Sequence, residues 1–247
     1  MQPRFLLIGA TGYTGKAVAQ YLRSKNIDCI AHIRPNSPNL ETAKQFFTGL
    51  SAEVDTSAWT PDDFSALLQK HEPSHIFSLL GTTKAKAKHA AKTGEKATYE
   101  DVDRDLSLLL LQAAVSYAAQ RPDQDPPKYL FLSSMGVSDG SANRYIKARA
   151  DVEKQVRQSP IPWLIARPSF ISGPDRPESR PMERFGSLFG DAVLSTMALV
   201  GIKKPYQLYG TLSAAQLASG LVEWALDDAA YSQLLDTAAI RQRIKAS

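Results

Sequence analysis

Three glycines at regular spacing constrain the fold of this chain more than any other feature. Gly9, Gly12 and Gly15 occur in the stretch GATGYTG, between the apolar run Phe5–Ile8 and an amphipathic segment that begins at Thr14. A short apolar run that stops at a glycine predicts a buried strand, and apolar residues at helical spacing predict a helix. The motif is therefore expected in a tight turn between the first strand and the first helix.

Such a turn is suited to binding a diphosphate. Glycine has no Cβ, so the backbone can approach the anion closely, and the amide groups of the helix N-terminus carry a favourable dipole. A glycine triplet alone could be only a tight turn, but its position between a strand and a helix favours a dinucleotide site. We expect the contacts at Gly9, Thr11, Gly12, Tyr13, Thr14 and Gly15.

Strand-like and helix-like segments alternate along most of the chain. The further predicted strands are Ile27–Ile33, Ala52–Asp55, His75–Leu80, Lys128–Leu132 and Pro162–Ala166. The predicted helices are Thr14–Ser24, Pro38–Thr48, one that opens at Thr60, one that ends near Ala119, Ser141–Gln158 and Ser213–Leu226. Near-continuous apolar strands predict a parallel sheet with helices on both faces, a doubly wound Rossmann-like α/β fold. We expect a single domain over residues 1–247, with a small substrate lobe from about residue 169.

Composition excludes several classes of function. The net charge of +4 and the pI near 9.1 are too small to indicate nucleic-acid binding without a basic cluster. A single cysteine, Cys29, excludes an intrachain disulfide and fits a reducing compartment. No apolar stretch reaches membrane length and no secretory signal is visible, so we expect a cytoplasmic location. His32, His71, His75 and His89 are scattered, and we predict no metal.

The end of the second strand indicates which nicotinamide cofactor is bound. An acidic residue there would bind the ribose hydroxyls of NAD, but the chain has Arg34 and no acid, which favours the 2′-phosphate of NADP(H). Arg34 could also be an ordinary solvated arginine. Asp55 could face the adenine amino group or cap the turn before Ser57. Gly81 has no side chain, so its backbone could approach the cofactor closely, or the residue could only form a turn.

Polar residues after the fifth strand suggest a reaction centre. Ser133 and Ser134 follow that strand, and Tyr145 and Arg149 share a face of the next predicted helix, whereas Lys147 points elsewhere. Hydride transfer to a carbonyl group needs a proton donor, and a nearby cation lowers the pKa of a phenol toward that role. The alternative is a tyrosine packed on the sheet beside a surface arginine.

These motifs together resemble the atypical, NmrA-like short-chain dehydrogenases/reductases. Within that superfamily, the chain is most similar to the branch of the Tat-interacting oxidoreductase-like tumour suppressor and its bacterial relatives. The stretches that carry the resemblance are GATGYTG at 9–15, LLGTTKAKA at 79–87, VDRD at 102–105, LSSMG at 132–136 and RPSFISGPDRPESRPMERFG at 167–186.

The resemblance implies a Rossmann-like fold, NADPH binding and a Ser–Tyr–Lys catalytic arrangement. Ser134 matches the serine and Tyr145 the tyrosine, whereas Arg149 stands at the lysine position and departs from the pattern. Arginine keeps the charge but does not readily release a proton. The resemblance also implies cofactor contacts at Leu80, Gly81, Thr82, Ser133, Arg167, Pro168 and Ser169.

The sequence therefore favours two candidate functions. The first is an NADP(H)-dependent reductase of a small carbonyl compound, or a dehydrogenase of the corresponding alcohol, that acts as a monomer or homodimer and binds neither nucleic acid nor membrane. The second is an NADPH-responsive binding or regulatory protein with weak catalysis. An extended-type sugar-nucleotide epimerase or dehydratase is less favoured, because the C-terminal portion is too short to enclose such a substrate.

The Arg34 assignment predicts the effect of one substitution. Arg34→Ala should lower the preference for NADPH over NADH, because it removes the cation that would pair with the 2′-phosphate. Titration calorimetry with both nucleotides measures the preference. An unchanged preference would show that Arg34 does not bind that phosphate.

Overall fold

A computed structural model describes residues 2–81, 104–172 and 210–246. The described strands are β1 Arg4–Ile8, β2 Asp28–His32, β3 Glu53–Asp55, β4 His75–Ser78, β5 Lys128–Leu132, β6 Trp163–Arg167, β7 Ile171–Ser172, β8 Leu212–Ser213 and β9 Gln233–Asp236. The described helices are α1 Tyr13–Ser24, α2 Leu40–Gly49, α3 Pro61–His71, α4 Leu106–Ala119, α5 Arg144–Gln158, α6 Ala214–Ala225 and α7 Thr237–Ala246.

Seven strands form one parallel sheet in the order β3-β2-β1-β4-β5-β6-β9. Leu6 of β1 lies opposite Ile30 of β2 and Ile76 of β4, so β1 stands beside both. The chain moves outward from β1 to β3 and then returns to the other side of β1, which makes the gap between β1 and β4 the switch point of the sheet. The predicted doubly wound Rossmann-like fold is confirmed.

Helices cover both faces of this sheet. Phe5 and Leu7 point into one buried cluster, which α1, α2, α6 and α7 complete, while Leu6 and Ile8 point into a second cluster with α3, α4 and α5. Alternate residues of a strand face opposite sides, and here both sides are apolar. This accounts for the uninterrupted apolar strands in the sequence.

Side-chain caps determine where two helices begin. At α3, the hydroxyl oxygen of Thr60 accepts a hydrogen bond from the Asp63 amide at 3.1 Å, as the predicted helix start requires. The α5 helix begins at Arg144 and not at the predicted Ser141. The reason is that the Asn143 side chain accepts hydrogen bonds from the two amides that follow Arg144, and this ends the preceding loop.

Strand β9 was not foreseen from the sequence. Its four residues pair with β6 at the edge of the sheet, and only Leu235 among them is buried. Two adjacent leucines between polar residues form neither an alternating pattern nor a continuous apolar run, so this short segment gives no strand signal. Part of the predicted substrate lobe, residues 173–209, lies outside the described residues, so the lobe and the single-domain assignment stay predictions.

His75 is a buried histidine at the amino end of β4. Its ring stacks on Phe5 with 4.3 Å between ring centres, and its Nε2 donates a hydrogen bond to the Ala225 carbonyl at 2.9 Å. Burial lowers the pKa of His75 from 6.5 to about 4, against the opposing effect of that carbonyl. The ring is therefore neutral in the folded protein near neutral pH.

This burial predicts a loss of stability in mild acid. Between pH 6.5 and about 4 the unfolded chain binds a proton at His75 that the folded chain does not, so the free energy of unfolding should fall as the pH falls. The expected loss is about 3 kcal/mol over that window. Denaturant unfolding at several pH values measures it.

The control is His75→Gln, whose amide can still donate to Ala225 but does not titrate. It should show a shallower pH dependence, with a residual slope from His32, whose pKa burial also lowers. Equal slopes in the two proteins would contradict the assignment to His75.

Candidate functional site

The predicted site residues within the described ranges lie along one edge of the sheet, because the carboxyl ends of parallel strands meet there. Gly9 follows β1, Arg34 follows β2, Asp55 ends β3, Leu80 and Gly81 follow β4, Ser133 and Ser134 follow β5, and Arg167 to Ser169 end and follow β6. Thr82 lies outside the described residues.

The glycine turn is closely packed against the end of β4. Gly9 has a φ of +89°, and a Cβ added there would lie 2.8 Å from the Leu79 carbonyl carbon and oxygen. A Cβ at Gly15 would lie 2.5 Å from the carbonyl oxygens of Gly9 and Ala10. Gly12 donates its amide to the Gly9 carbonyl at 3.0 Å. A side chain at Gly9 or Gly15 would therefore displace backbone.

The start of α1 fits an anionic diphosphate. Gly12 is the N-cap residue, no side chain of the described residues caps the helix, and its first turn contains no acid. Thr11 is exposed, Tyr13 is half-buried and Thr14 is buried in the first turn. Helix N-terminal amides without a side-chain cap favour an external anion, so these residues fit the two phosphates of a dinucleotide.

Asp55 is held by protein groups. One carboxylate oxygen accepts hydrogen bonds from the Ser57 amide at 2.9 Å and hydroxyl at 2.6 Å, and the other contacts His71 Nε2 at 2.8 Å and Lys70 Nζ at 3.1 Å. Burial by itself raises the pKa of Asp55, but these hydrogen bonds outweigh it and hold the pKa below its usual range. Asp55 therefore caps the turn before Ser57, as one of the two alternatives predicts. A contact with the adenine amino group stays a prediction.

Arg34 is exposed just beyond β2. Its guanidinium carbon lies 5.6 Å from the centre of the Trp59 ring. Register places His32, two residues earlier, directly opposite Ile8, the residue before the glycine turn. The arginine is therefore at the sheet edge beside the glycine turn.

Glu153 connects two of the predicted residues, and sequence reasoning missed it. It is fully buried on α5, accepts a hydrogen bond from the Ser133 hydroxyl at 2.6 Å, and pairs through both carboxylate oxygens with Arg167 at 2.9 and 2.5 Å. The available signal was a charged residue four positions after Arg149, on the apolar face of a helix. Ser133 and Arg167 thus have structural partners in addition to any role in binding cofactor.

Ser134 and Tyr145 are the groups best placed to meet a ligand. The Ser134 hydroxyl oxygen is buried and has no hydrogen-bond partner within the ranges that the structure describes. Tyr145 is half-buried in the first turn of α5, where the Asn143 cap fixes its backbone. A buried hydroxyl without a partner is costly, and a ligand oxygen would satisfy it.

Arg149 bridges two strand ends. It is 3% exposed, donates from Nη2 to the Leu80 carbonyl at 3.0 Å, and donates from Nη1 to the Leu132 carbonyl. A Cβ on Gly81 would lie 3.1 Å from Nη2. The guanidinium carbon is 5.1 Å from the centre of the Tyr145 ring. The structure thus brings Tyr145 and Arg149 together as predicted. Arg149 also connects the end of β5 with the segment that follows β4, through the carbonyls of Leu132 and Leu80.

The segment after β6 is held by distant residues. The Pro168 carbonyl accepts a hydrogen bond from the Met135 amide at 3.0 Å. The Ser169 amide donates to the Thr237 hydroxyl at 2.8 Å, and the Ser169 hydroxyl donates to the Gly210 carbonyl at 2.6 Å. These bonds fix the backbone beside Ser133 and Ser134.

Neither a metal-binding cluster nor a membrane-spanning helix occurs in the described part of the chain. There, no group of three or more His, Cys, Asp or Glu residues is placed to hold a metal ion. No helix in the same ranges has both the length and the apolar character needed to cross a bilayer.

Comparison with known proteins identifies the family. A family profile described as NAD(P)H-binding matches residues 9–196, from the first glycine of the motif to well past β6. The chain belongs to this NAD(P)H-binding family. The match supports a nicotinamide cofactor, and it is consistent with an atypical short-chain dehydrogenase/reductase.

Curated relatives include fungal proteins named for mitochondria. The chain is 30% identical to protein fmp52-1, mitochondrial, of Aspergillus terreus over 179 residues, which are 72% of this chain and 70% of that protein. It is 31% identical to protein fmp52, mitochondrial, of Aspergillus clavatus over 182 residues, which are 72% and 70% of the two chains. The expectation of a cytoplasmic location is wrong by this comparison.

Solved structures share the fold. Pal from Bacillus thuringiensis aligns with a TM-score of 0.63 at 14% identity, over 99% of this chain and 83% of that one. The UDP-glucose 4-epimerase of Thermotoga maritima aligns with a TM-score of 0.59 at 15% identity, over 91% and 73% of the two chains. At such identities the likeness concerns the fold alone.

The buried Glu153–Arg167 pair predicts a stability effect. Glu153→Gln keeps an acceptor for Ser133 but leaves the Arg167 guanidinium without its carboxylate. The free energy of unfolding should fall by about 2 kcal/mol, less than for a fully enclosed pair because Arg167 reaches solvent. Urea unfolding measures the change.

The matched control is Glu41→Gln, which breaks the exposed pair of Glu41 with Lys44 at 2.9 Å on α2. Such pairs contribute little, so the change should stay below about 0.5 kcal/mol. If the free energy of unfolding fell equally in the two variants, the Glu153–Arg167 pair would stabilise the fold no more than an exposed ion pair does.

Proposed function

We propose that this protein is an NADP(H)-dependent reductase of small carbonyl compounds, of the atypical short-chain dehydrogenase/reductase type. The observation that carries the proposal is the buried Ser134 hydroxyl without a partner within the described ranges, at the same sheet edge as the glycine turn. A carbonyl oxygen is the kind of ligand atom that would accept its hydrogen bond. The resemblance to the Tat-interacting oxidoreductase-like branch supports the same assignment.

Arg34 supports NADP(H) as the cofactor in preference to NAD(H). It is exposed beyond β2, next to the diphosphate-binding segment, and no carboxylate pairs with it among the residues that the structure describes. A guanidinium in that position can bind a phosphate through two parallel hydrogen bonds. Residues Gly9–Gly15 would hold the two bridging phosphates.

The reaction we propose adds a hydride to the carbonyl carbon and a proton to the carbonyl oxygen. Reduced nicotinamide, when bound, supplies the hydride. The Ser134 hydroxyl donates a hydrogen bond that orients the substrate oxygen, and the Tyr145 hydroxyl donates the proton, so that the carbonyl becomes an alcohol. Arg149, with its guanidinium carbon 5.1 Å from the centre of the Tyr145 ring, stabilises the phenolate that remains.

A second candidate follows from the placement of Arg149. Its guanidinium donates to the carbonyls of Leu80 and Leu132. This differs from the role that the resemblance implies for the lysine, which lowers the pKa of the tyrosine and binds the nicotinamide ribose. A chain that keeps the cofactor site and weakens the proton donor would serve as an NADPH-responsive binding protein. For either candidate, the names of the fungal relatives support a mitochondrial setting.

Tyr145→Phe tests the catalytic assignment. It removes the proton donor and keeps the ring beside Arg149, so kcat with NADPH and a reactive aldehyde should fall by about 100-fold or more. The Kd for NADPH should stay unchanged. Loss of NADPH absorbance measures turnover, and calorimetry measures binding.

The matched control is Tyr231→Phe, since the Tyr231 hydroxyl donates to the Ala225 carbonyl at the amino edge of the sheet. That variant should retain full kcat. Undiminished turnover in Tyr145→Phe would remove Tyr145 from the mechanism. NADPH binding by the wild type without turnover of any small aldehyde or ketone would favour the regulatory candidate.

A further inference from the structure

Arg34 lies beside an aromatic side chain, Trp59, which has no role in the proposed cofactor site described above. Trp59 lies between Ser57 and the start of α3, and its ring packs partly against the core beneath that helix. The guanidinium carbon of Arg34 is 5.6 Å from the ring centre. This is the distance range of a cation–π contact, so Trp59 restricts where an otherwise exposed arginine can lie.

The plane of Trp59 is itself held by His32. The Trp59 indole N–H donates to His32 Nδ1 at 3.2 Å, and His32 Nε2 donates to the Ser57 carbonyl at 2.9 Å. Because an indole nitrogen only donates and a carbonyl only accepts, both bonds require one neutral tautomer of His32, with the proton on Nε2. His32 is 2% exposed, so its ring is a fixed support.

His32, Trp59 and Arg34 form a series of contacts that runs from the sheet to the solvent. His32 is the last residue of β2 and aligns with Ile8, immediately before the glycine turn. Arg34 lies two residues further on, where the chain leaves the sheet. The adenosine end of a dinucleotide bound at the glycine turn would therefore come next to Arg34.

We propose that Trp59 is a positioning residue for cofactor selection: it holds the Arg34 guanidinium in place for the 2′-phosphate of NADP(H), with His32 fixing the indole ring. The inference rests on the proposed NADP(H) site and adds to it a residue that no motif indicates. An arginine held in advance loses less conformational freedom when the phosphate binds. Trp59 thus acts on NADPH affinity through Arg34, and NADH affinity does not depend on it.

The experiment compares the Kd values of NADPH and NADH by calorimetry in a double-mutant cycle. The selectivity is the Kd of NADH divided by the Kd of NADPH. Arg34→Ala should lower the selectivity by about tenfold or more. Trp59→Leu should lower it by about threefold to tenfold, with the Kd of NADH unchanged. In the double variant, Trp59→Leu should cause no further loss beyond that of Arg34→Ala.

Two variants complete the design. Trp59→Phe keeps an aromatic ring and loses the indole N–H, and it should lower the selectivity by about twofold, which provides the test if Trp59→Leu does not fold. Trp224→Leu is the matched control, because Arg243 lies over the Trp224 ring at 5.0 Å on a different helix pair. The control should leave the selectivity unchanged.

The outcomes separate this inference from the function on which it rests. A wild-type protein that binds neither nucleotide, or Arg34→Ala with unchanged selectivity, overturns the proposed NADP(H) site and the inference with it. Arg34→Ala with lost selectivity and Trp59 variants with wild-type selectivity overturn the inference alone. An equal loss of NADPH and NADH affinity in Trp59→Leu, or additive losses in the double variant, also overturns it.

Discussion

The contact between the Gly9 turn and the backbone at Leu79 is the constraint around which the rest of the site is arranged. β1 and β4 are neighbours at the switch point of the sheet, and the chain must leave β1 within a space that has no room for a Cβ. Gly15 then allows α1 to start directly against the turn. As a result, the first amides of α1 lie at the carboxyl edge of the sheet, where strands from both halves of the fold end.

The charged and polar side chains at this edge divide into two sets. Asp55, Glu153 and Arg149 are buried, and each is bonded to protein groups that hold neighbouring segments together. Burying a charge is tolerable only with such partners. Arg34, Ser134 and Tyr145 are the residues best placed to meet a ligand, because Arg34 is exposed, Tyr145 is half-buried and the Ser134 hydroxyl is buried without a partner in the described ranges. This division separates the scaffold of the site from the groups that can select and orient a ligand.

The match to the NAD(P)H-binding family covers both sets of side chains at this edge. The family profile begins at Gly9 and extends past β6, so it covers the glycine turn and the strand ends that form the edge. The relatives correct one expectation, because a chain with one cysteine and no membrane-length apolar run looked cytoplasmic, while the fungal relatives are named mitochondrial. A single cysteine only rules out an intrachain disulfide, and it does not identify the compartment in which a chain resides.

Local signals were sufficient for the fold. The glycine spacing, the apolar strands and the Thr60 cap act within a few residues, so the sequence alone determined a doubly wound α/β sheet, and the predicted site residues within the described ranges follow from it at the carboxyl edge. The partners of the polar groups were decided by the tertiary structure. Ser169 bonds to Thr237, 68 positions away, and Arg149 reaches Leu80, 69 positions away. Such pairings depend on which segments the packing of the two cores brings together, and no periodicity or turn preference encodes that choice.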